Sequence, residues 1–166
     1  MILVAIGSNL NSKKFGPPLM NCIKCIKILK KKFDVLNVSN LYETEPIPKS
    51  NQVWYINGVV SISSILQPIG ILKKLHSIEM TFGRVRKYKN EPRTIDLDLL
   101  CYNNSILKSS ELVIPHPKIH ERRFVLQPIC DIDPEWIHPV LMEKAKKLLK
   151  NTIKQKIFLK KDLNKI

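Results

Sequence analysis

A chain of 166 residues is long enough to bury a core of its own without disulfide or metal support, and one domain is expected. The formal charge of +14 points to acidic partners, but lysine supplies most of it and is spread over helix faces and the C-terminal stretch, so charge alone does not choose between nucleic acid and a small anionic ligand. No segment has the roughly 18 apolar residues of a membrane span, and the N-terminus lacks the basic and apolar pattern of a secretory leader, so a cytoplasmic protein is expected.

Met1 to Ile6 is an apolar run ending at Gly7-Ser8-Asn9, the pattern of a buried strand entering a loop. Pro17 and Pro18 suit a helix start, and Leu19, Met20, Ile23, Ile26 and Leu29 recur at helical spacing through to Phe33. Cys22 and Cys25 form a CxxC inside this helix. A redox or zinc site would want a pair at a strand-to-helix turn or a second pair, so core thiols are expected. Val35 to Tyr42 reads as a strand, and the prolines of the Thr44 to Asn51 run make a loop. Val53 to Ile65 is again strand-like, with Tyr55, Asn57, Val59 and Ser61 on one face. Pro68 opens a second helix that stops at Gly83, and a basic loop through Arg93 leads to a strand at Ile95 to Tyr102.

The order β-α-β-β-α-β predicts an α+β, ferredoxin-like core: a mainly antiparallel sheet with helices on one face and the other free for a ligand. Glu121 to Ile129 and Val140 to Leu149 are expected as appended C-terminal helices. Residues 1–150 are read as the domain, and 151–166 as a basic tail, helical or weakly ordered.

Asp96 and Asp98 carry the strongest chemical signal. Alternation places both carboxylates on one face of a strand with Cβ atoms about 6 to 7 Å apart, a spacing that can share divalent cations, while Leu97, Leu99 and Cys101 take the other face. Three of the five arginines, Arg84, Arg86 and Arg93, fall just before this strand, and His116 and Arg122 follow it. Guanidinium groups beside paired acids suit bidentate phosphate contacts, with surface ion pairs as the plainer alternative. Phosphoryl-type transfer needs metal ions, cationic side chains and an aligned acceptor, and little covalent work by the protein. Thr44, Tyr55, Asn57 and Phe124 are candidates for the acceptor pocket; Asn57 both donates and accepts in one plane, as a flat heterocycle requires. Neither GxxxxGK[ST] nor GxGxxG occurs, so a nucleotide would be held by other means.

The segments Ala5-Ile6-Gly7-Ser8-Asn9-Leu10, Tyr42-Glu43-Thr44-Glu45-Pro46, Tyr55-Ile56-Asn57-Gly58, Gly83-Arg84-Val85-Arg86, Pro92-Arg93-Thr94-Ile95-Asp96-Leu97-Asp98 and Ile114-Pro115-His116-Pro117, with Arg122 and Phe124, resemble the 6-hydroxymethyl-7,8-dihydropterin pyrophosphokinases of folate biosynthesis. The resemblance implies transfer of pyrophosphate from ATP to the pterin hydroxymethyl group. It implies that Asp96 and Asp98 hold two Mg2+ ions on ATP, that Thr44, Tyr55, Asn57 and Phe124 line the pterin pocket, and that Glu79, Arg84, Arg86, Arg93, His116 and Arg122 serve the nucleotide. Arg84 and Arg93 are the choice for stabilising transition-state charge. Many members carry Arg-Trp-Gly-Pro-Arg before the acidic strand, its tryptophan closing over the pterin. This chain has Lys89-Asn90-Glu91-Pro92-Arg93 in a loop one residue shorter, without that aromatic lid.

The competing reading is an RNA-binding module, because the same element order serves such domains and the chain is basic. Paired carboxylates where an RNA reader presents aromatics argue against it. The expected partners are ATP and the reduced pterin, with no nucleic acid and no membrane, acting on a monomer.

Overall fold

The apolar first run forms β1 (Ile2–Ser8), the centre of the sheet and buried on both faces. The structure, a computed structural model, describes residues 1–83 and 92–163. On either side of β1 lie β4 (Tyr55–Ser63) and β5 (Asp96–Tyr102), both antiparallel to it. Beyond β4 come β2 (Asp34–Val38) along half its length and β3 (Leu41–Thr44) along the other, and β8 (Ile157–Lys161) closes the edge against β3. These pairings are all antiparallel, as the ferredoxin-like order requires. Among the described residues no helix is long and apolar enough to cross a membrane.

One face of the sheet is covered by α1 (Pro18–Lys32) and α2 (Pro68–Thr81). Each helix starts with proline in its first turn, where the missing N–H is no loss, and α1 ends on Lys30, Lys31 and Lys32, whose charge favours the carbonyl end of a helix. Cys22, Cys25, Ile26 and Leu29 of α1 meet Ile2, Val4 and Ile6 of β1 and Ile71, Leu75 and Ile78 of α2 in one core. Burial holds the Cys22 and Cys25 thiols well above the usual range, so both are protonated packing residues.

The other face is half covered, not free. α3 (Arg123–Ile132) and α4 (Ala145–Lys150) bury Leu3, Val59, Leu100 and Cys101 beneath Val125, Leu126, Ile129 and Leu148. The expectation that Leu97, Leu99 and Cys101 share a face fails at its last member. The β1–β5 register shifts between Leu3 and Val4, so β5 has an extra residue near Leu100. Leu97 and Leu99 pack toward α1 and α2, whereas Leu100 and Cys101 both join the α3 core.

Three other segments differ from expectation. The predicted Val35–Tyr42 strand breaks into β2 and β3 because the Ser39 hydroxyl accepts the Val59 N–H at 2.8 Å and donates to the Asn40 carbonyl at 2.8 Å, side chain replacing ladder. The helix expected from Val140 begins only at Ala145. Before it, His138 Nδ1 accepts the N–H groups of Val140 and Leu141 at 3.2 Å each, and Met142 adopts φ 55°, holding a turn. Where a helical or weakly ordered tail was expected, residues 157–161 form β8. A small hairpin, β6 (Leu107–Lys108) with β7 (Val113–Ile114), then carries the chain back to β5, where His116 N–H meets the Leu100 carbonyl at 2.7 Å.

Candidate active site

The uncovered half of the α3 face is a cavity of about 300 Å³ whose floor is the sheet itself. Gly7 of β1 is in register with Asn57 on β4 and with Asp96 on β5. A Cβ at Gly7 would lie 2.9 Å from Asn57 Oδ1 and 3.8 Å from Asp96 Cβ. The missing side chain thus leaves the floor open between them. One step along, Ala5 is opposite Asp98, so both acids project from β5 into the same cavity, half-buried, as alternation predicts.

On the β4 side, Asn57 Nδ2 donates to Thr44 Oγ1 at 2.7 Å, and both residues are buried. This bond orients the carboxamide, leaving Oδ1 over the Gly7 gap. Tyr55 donates to Gln52 Oε1 at 3.2 Å, tying the ring to the loop that continues from β3 and lines the cavity with Glu45, Pro46 and Pro48. Across the opening, the Arg122 guanidinium lies over the Phe124 ring, 5.4 Å from its centroid, an arrangement suited to holding an aromatic face beside a cation.

On the β5 side, Arg93 Nη1 donates to Asp96 Oδ2 at 2.7 Å. The backbone of Arg93 is held as firmly as its side chain. Its carbonyl accepts the N–H groups of Asn9 and Leu10 at 3.1 Å each, and its N–H donates to Asn9 Oδ1 at 2.8 Å. Asn9 Nδ2 in turn donates to Gln52 Oε1 and the Val53 carbonyl at 3.2 Å each, so one buried amide joins the two sides of the cavity. Asn21 does similar work beneath, donating to the carbonyls of Leu10 and Thr94 at 2.9 and 3.1 Å.

The electrostatics suit an anion. Burial, reinforced by Arg122, pushes His116 down to about 4, so its ring is neutral at pH 7. Its Nδ1 accepts the Lys118 N–H at 3.2 Å, which puts the ring proton on Nε2 as a donor. Burial also draws Arg122 below the usual arginine value, opposed by Asp98 and Asp96, and it remains a cation.

A model of the family described as 7,8-dihydro-6-hydroxymethylpterin-pyrophosphokinase (HPPK) matches residues 3–134. The chain belongs to this family. It is 38% identical over 141 residues to the folic acid synthesis protein FOL1 of Dictyostelium discoideum, an alignment covering 85% of this chain but 21% of that protein. It is also 35% identical over 136 residues to the 2-amino-4-hydroxy-6-hydroxymethyldihydropteridine pyrophosphokinase of Haemophilus influenzae, covering 82% and 83% of the two chains. Among solved structures, wild-type Plasmodium falciparum HPPK-DHPS superposes with a TM-score of 0.65 at 14% identity, covering 90% of this chain and 44% of that one; this likeness bears on the fold alone.

Of the positions expected from the HPPK resemblance, Thr44, Tyr55, Asn57, Arg93, Asp96, Asp98, His116, Arg122 and Phe124 all line this one cavity. Glu79 is not among its lining residues. It is buried on α2, and its Oε1 accepts the Leu97 N–H at 2.8 Å, behind the strand and between the two acids. Arg84 and Arg86, with the shortened loop as far as Glu91, lie outside the described residues. Sequence reasoning noted Gly7 and Asn9 within the first motif but gave neither a role, and it missed Gln52. Only the glycine left a local signal, as a residue without a side chain inside an otherwise apolar strand.

Proposed function

We propose that this chain transfers pyrophosphate from ATP to the hydroxymethyl group of 6-hydroxymethyl-7,8-dihydropterin, forming AMP and the pterin diphosphate. The observation that carries the reading is the register across Gly7: an amide suited to a flat heterocycle and a pair of acids suited to a metal–polyphosphate share one floor. In the reaction the hydroxymethyl oxygen bonds to the β-phosphorus, the bond from that phosphorus to the oxygen bridging it to the α-phosphorus breaks, and AMP leaves. The hydroxyl proton is released.

The donor set fits Mg2+. Asp96 and Asp98 offer hard oxygens, and among the described residues no group of three or more His, Cys, Asp or Glu side chains is placed to hold a metal. Two carboxylates, with water and substrate phosphates completing the shell, are what Mg2+ prefers. Two ions held by Asp96 and Asp98 would supply charge neutralisation on the triphosphate. Arg93, with Arg84, stabilises charge as the phosphoryl group moves, while Arg122, Arg86 and the Nε2–H of His116 bind phosphate oxygens. Glu79 belongs to the nucleotide side through the strand it holds. Thr44 and Asn57 read the edge of the pterin, and Tyr55 and Phe124 pack on its faces. The reading further takes the protein to be a monomer working in the cytoplasm on these small molecules alone.

The RNA-binding reading finds no support. The sheet face it needs is half covered by α3 and α4, and the open half carries the acids. The deciding experiment is product analysis of protein, ATP, Mg2+ and the reduced pterin. AMP and pterin diphosphate are expected in equal amounts and only with the pterin present. No AMP, or AMP without pterin, overturns the reading.

A further inference from the structure

The family match ends at residue 134, and the basic stretch after Asn151 carries none of the motifs. In the structure this stretch touches both sides of the cavity. Within the β3–β8 ladder Thr44 pairs with Ile157, and Phe158 stacks on Trp54 with ring centroids 5.9 Å apart, next to Tyr55. On the far side, Gln155 Nε2 donates to the Glu121 carbonyl at 2.6 Å and its Oε1 accepts the Arg123 N–H at 2.8 Å.

Those two bonds bracket Arg122. Arg122 is the N-cap residue just before α3, and its side chain makes no cap of its own. The first N–H groups of a helix have no partner within it and are ordinarily satisfied by a nearby Ser, Thr, Asp or Asn. Here the acceptor comes from 32 residues further along the chain. Arg123 adds a second tie, from Nη1 to the Ile153 carbonyl at 2.8 Å. The peptide groups flanking Arg122 are therefore held by the C-terminal segment, and the direction in which its guanidinium enters the cavity depends on them.

We infer that Gln155 is a positioning residue for Arg122, capping α3 from outside the family motifs and orienting a phosphate-binding cation. This rests on the reading of the cavity proposed above. The test compares Gln155→Met, which keeps length and loses both bonds, with Gln155→Glu, which keeps the acceptor for Arg123. In Gln155→Met the KM for ATP rises about tenfold, kcat changes by less than about twofold, and pterin affinity is unmoved. Gln155→Glu recovers at least about half of that loss on a logarithmic scale. Hydrogen exchange at the Arg123 amide quickens in Gln155→Met with no substrate present.

An unchanged KM for ATP, equal losses for both substrates, or unaltered exchange at the Arg123 amide overturns the inference. Should the unsubstituted protein form no AMP, the proposed reaction is what fails, and amide exchange still decides whether Gln155 caps the helix.

Discussion

Arg93 Nη1 is bonded to Asp96 Oδ2 at 2.7 Å, so a cation and an acid assigned to the same polyphosphate are paired with each other. A metal ion held by Asp96, as proposed, would share that carboxylate with Arg93. On the proposed reading Asp96 would hold the metal that neutralises the triphosphate, and the Arg93 guanidinium beside it would be available to phosphate oxygens.

That pairing distinguishes the two acids. Asp96→Asn and Asp98→Asn are each expected to slow AMP formation at saturating Mg2+ by at least about 100-fold, or about 3 kcal/mol. Asp96→Asn should also lower stability by about 1 to 2 kcal/mol, because Arg93 is largely buried and loses its charged partner. Coupled-assay rates and denaturant melts measure both. Normal turnover in Asp98→Asn would remove the metal role.

Asn57→Ala is expected to weaken pterin binding about 10- to 30-fold and ATP binding by less than about threefold. Thr44→Val, which withdraws the acceptor of the Asn57 amide, should act in the same direction and more weakly. Calorimetric titration with each ligand decides it. Equal losses for ATP and pterin would contradict the division of the cavity.

Gly7→Ala tests the open floor. The added methyl, 2.9 Å from Asn57 Oδ1, must displace that side chain. A stability loss of about 1 to 3 kcal/mol is expected, with weaker pterin binding. Unaltered pterin affinity would mean that the gap over Gly7 is not used.

Acid should destabilise the fold partly through His116. Its folded value of about 4 lies below the ordinary 6.5, so between these pH values the unfolded chain takes up a proton that the folded chain refuses. The stabilisation is complete above about pH 6.5 and is lost as pH falls toward 4. His116→Gln is expected to flatten the dependence of stability on pH in that window by up to about one proton, no more than about 1 kcal/mol per pH unit after solvent screening. His138, also shifted down by burial, contributes to both proteins and cancels in the difference. Parallel slopes for the two would locate the acid sensitivity elsewhere.

What could be read from the chain alone was what local periodicity writes into it. Alternation put Asp96 and Asp98 on one face because a strand has a period of two, and the proline-led helices announced themselves by apolar spacing. The same period misled at Cys101, where one inserted residue reverses the faces, and at Ser39, where a hydroxyl interrupts a strand that propensity would continue. The contacts of Asn9, noted only within a motif, and of Gln155 were illegible for another reason. Their partners lie tens of residues away, and a side-chain amide bonding to distant backbone leaves no local pattern.

Glu45 and Lys156, in contact across 111 residues of chain, give the cavity a place in time. The floor needs β1, β4 and β5, but the strand that backs the Thr44 wall is made after all of them. During synthesis the sheet can form with that edge open until β8, made after β1, β4 and β5, pairs with β3. The edge behind the Thr44 wall is therefore completed after the cavity floor, not with it.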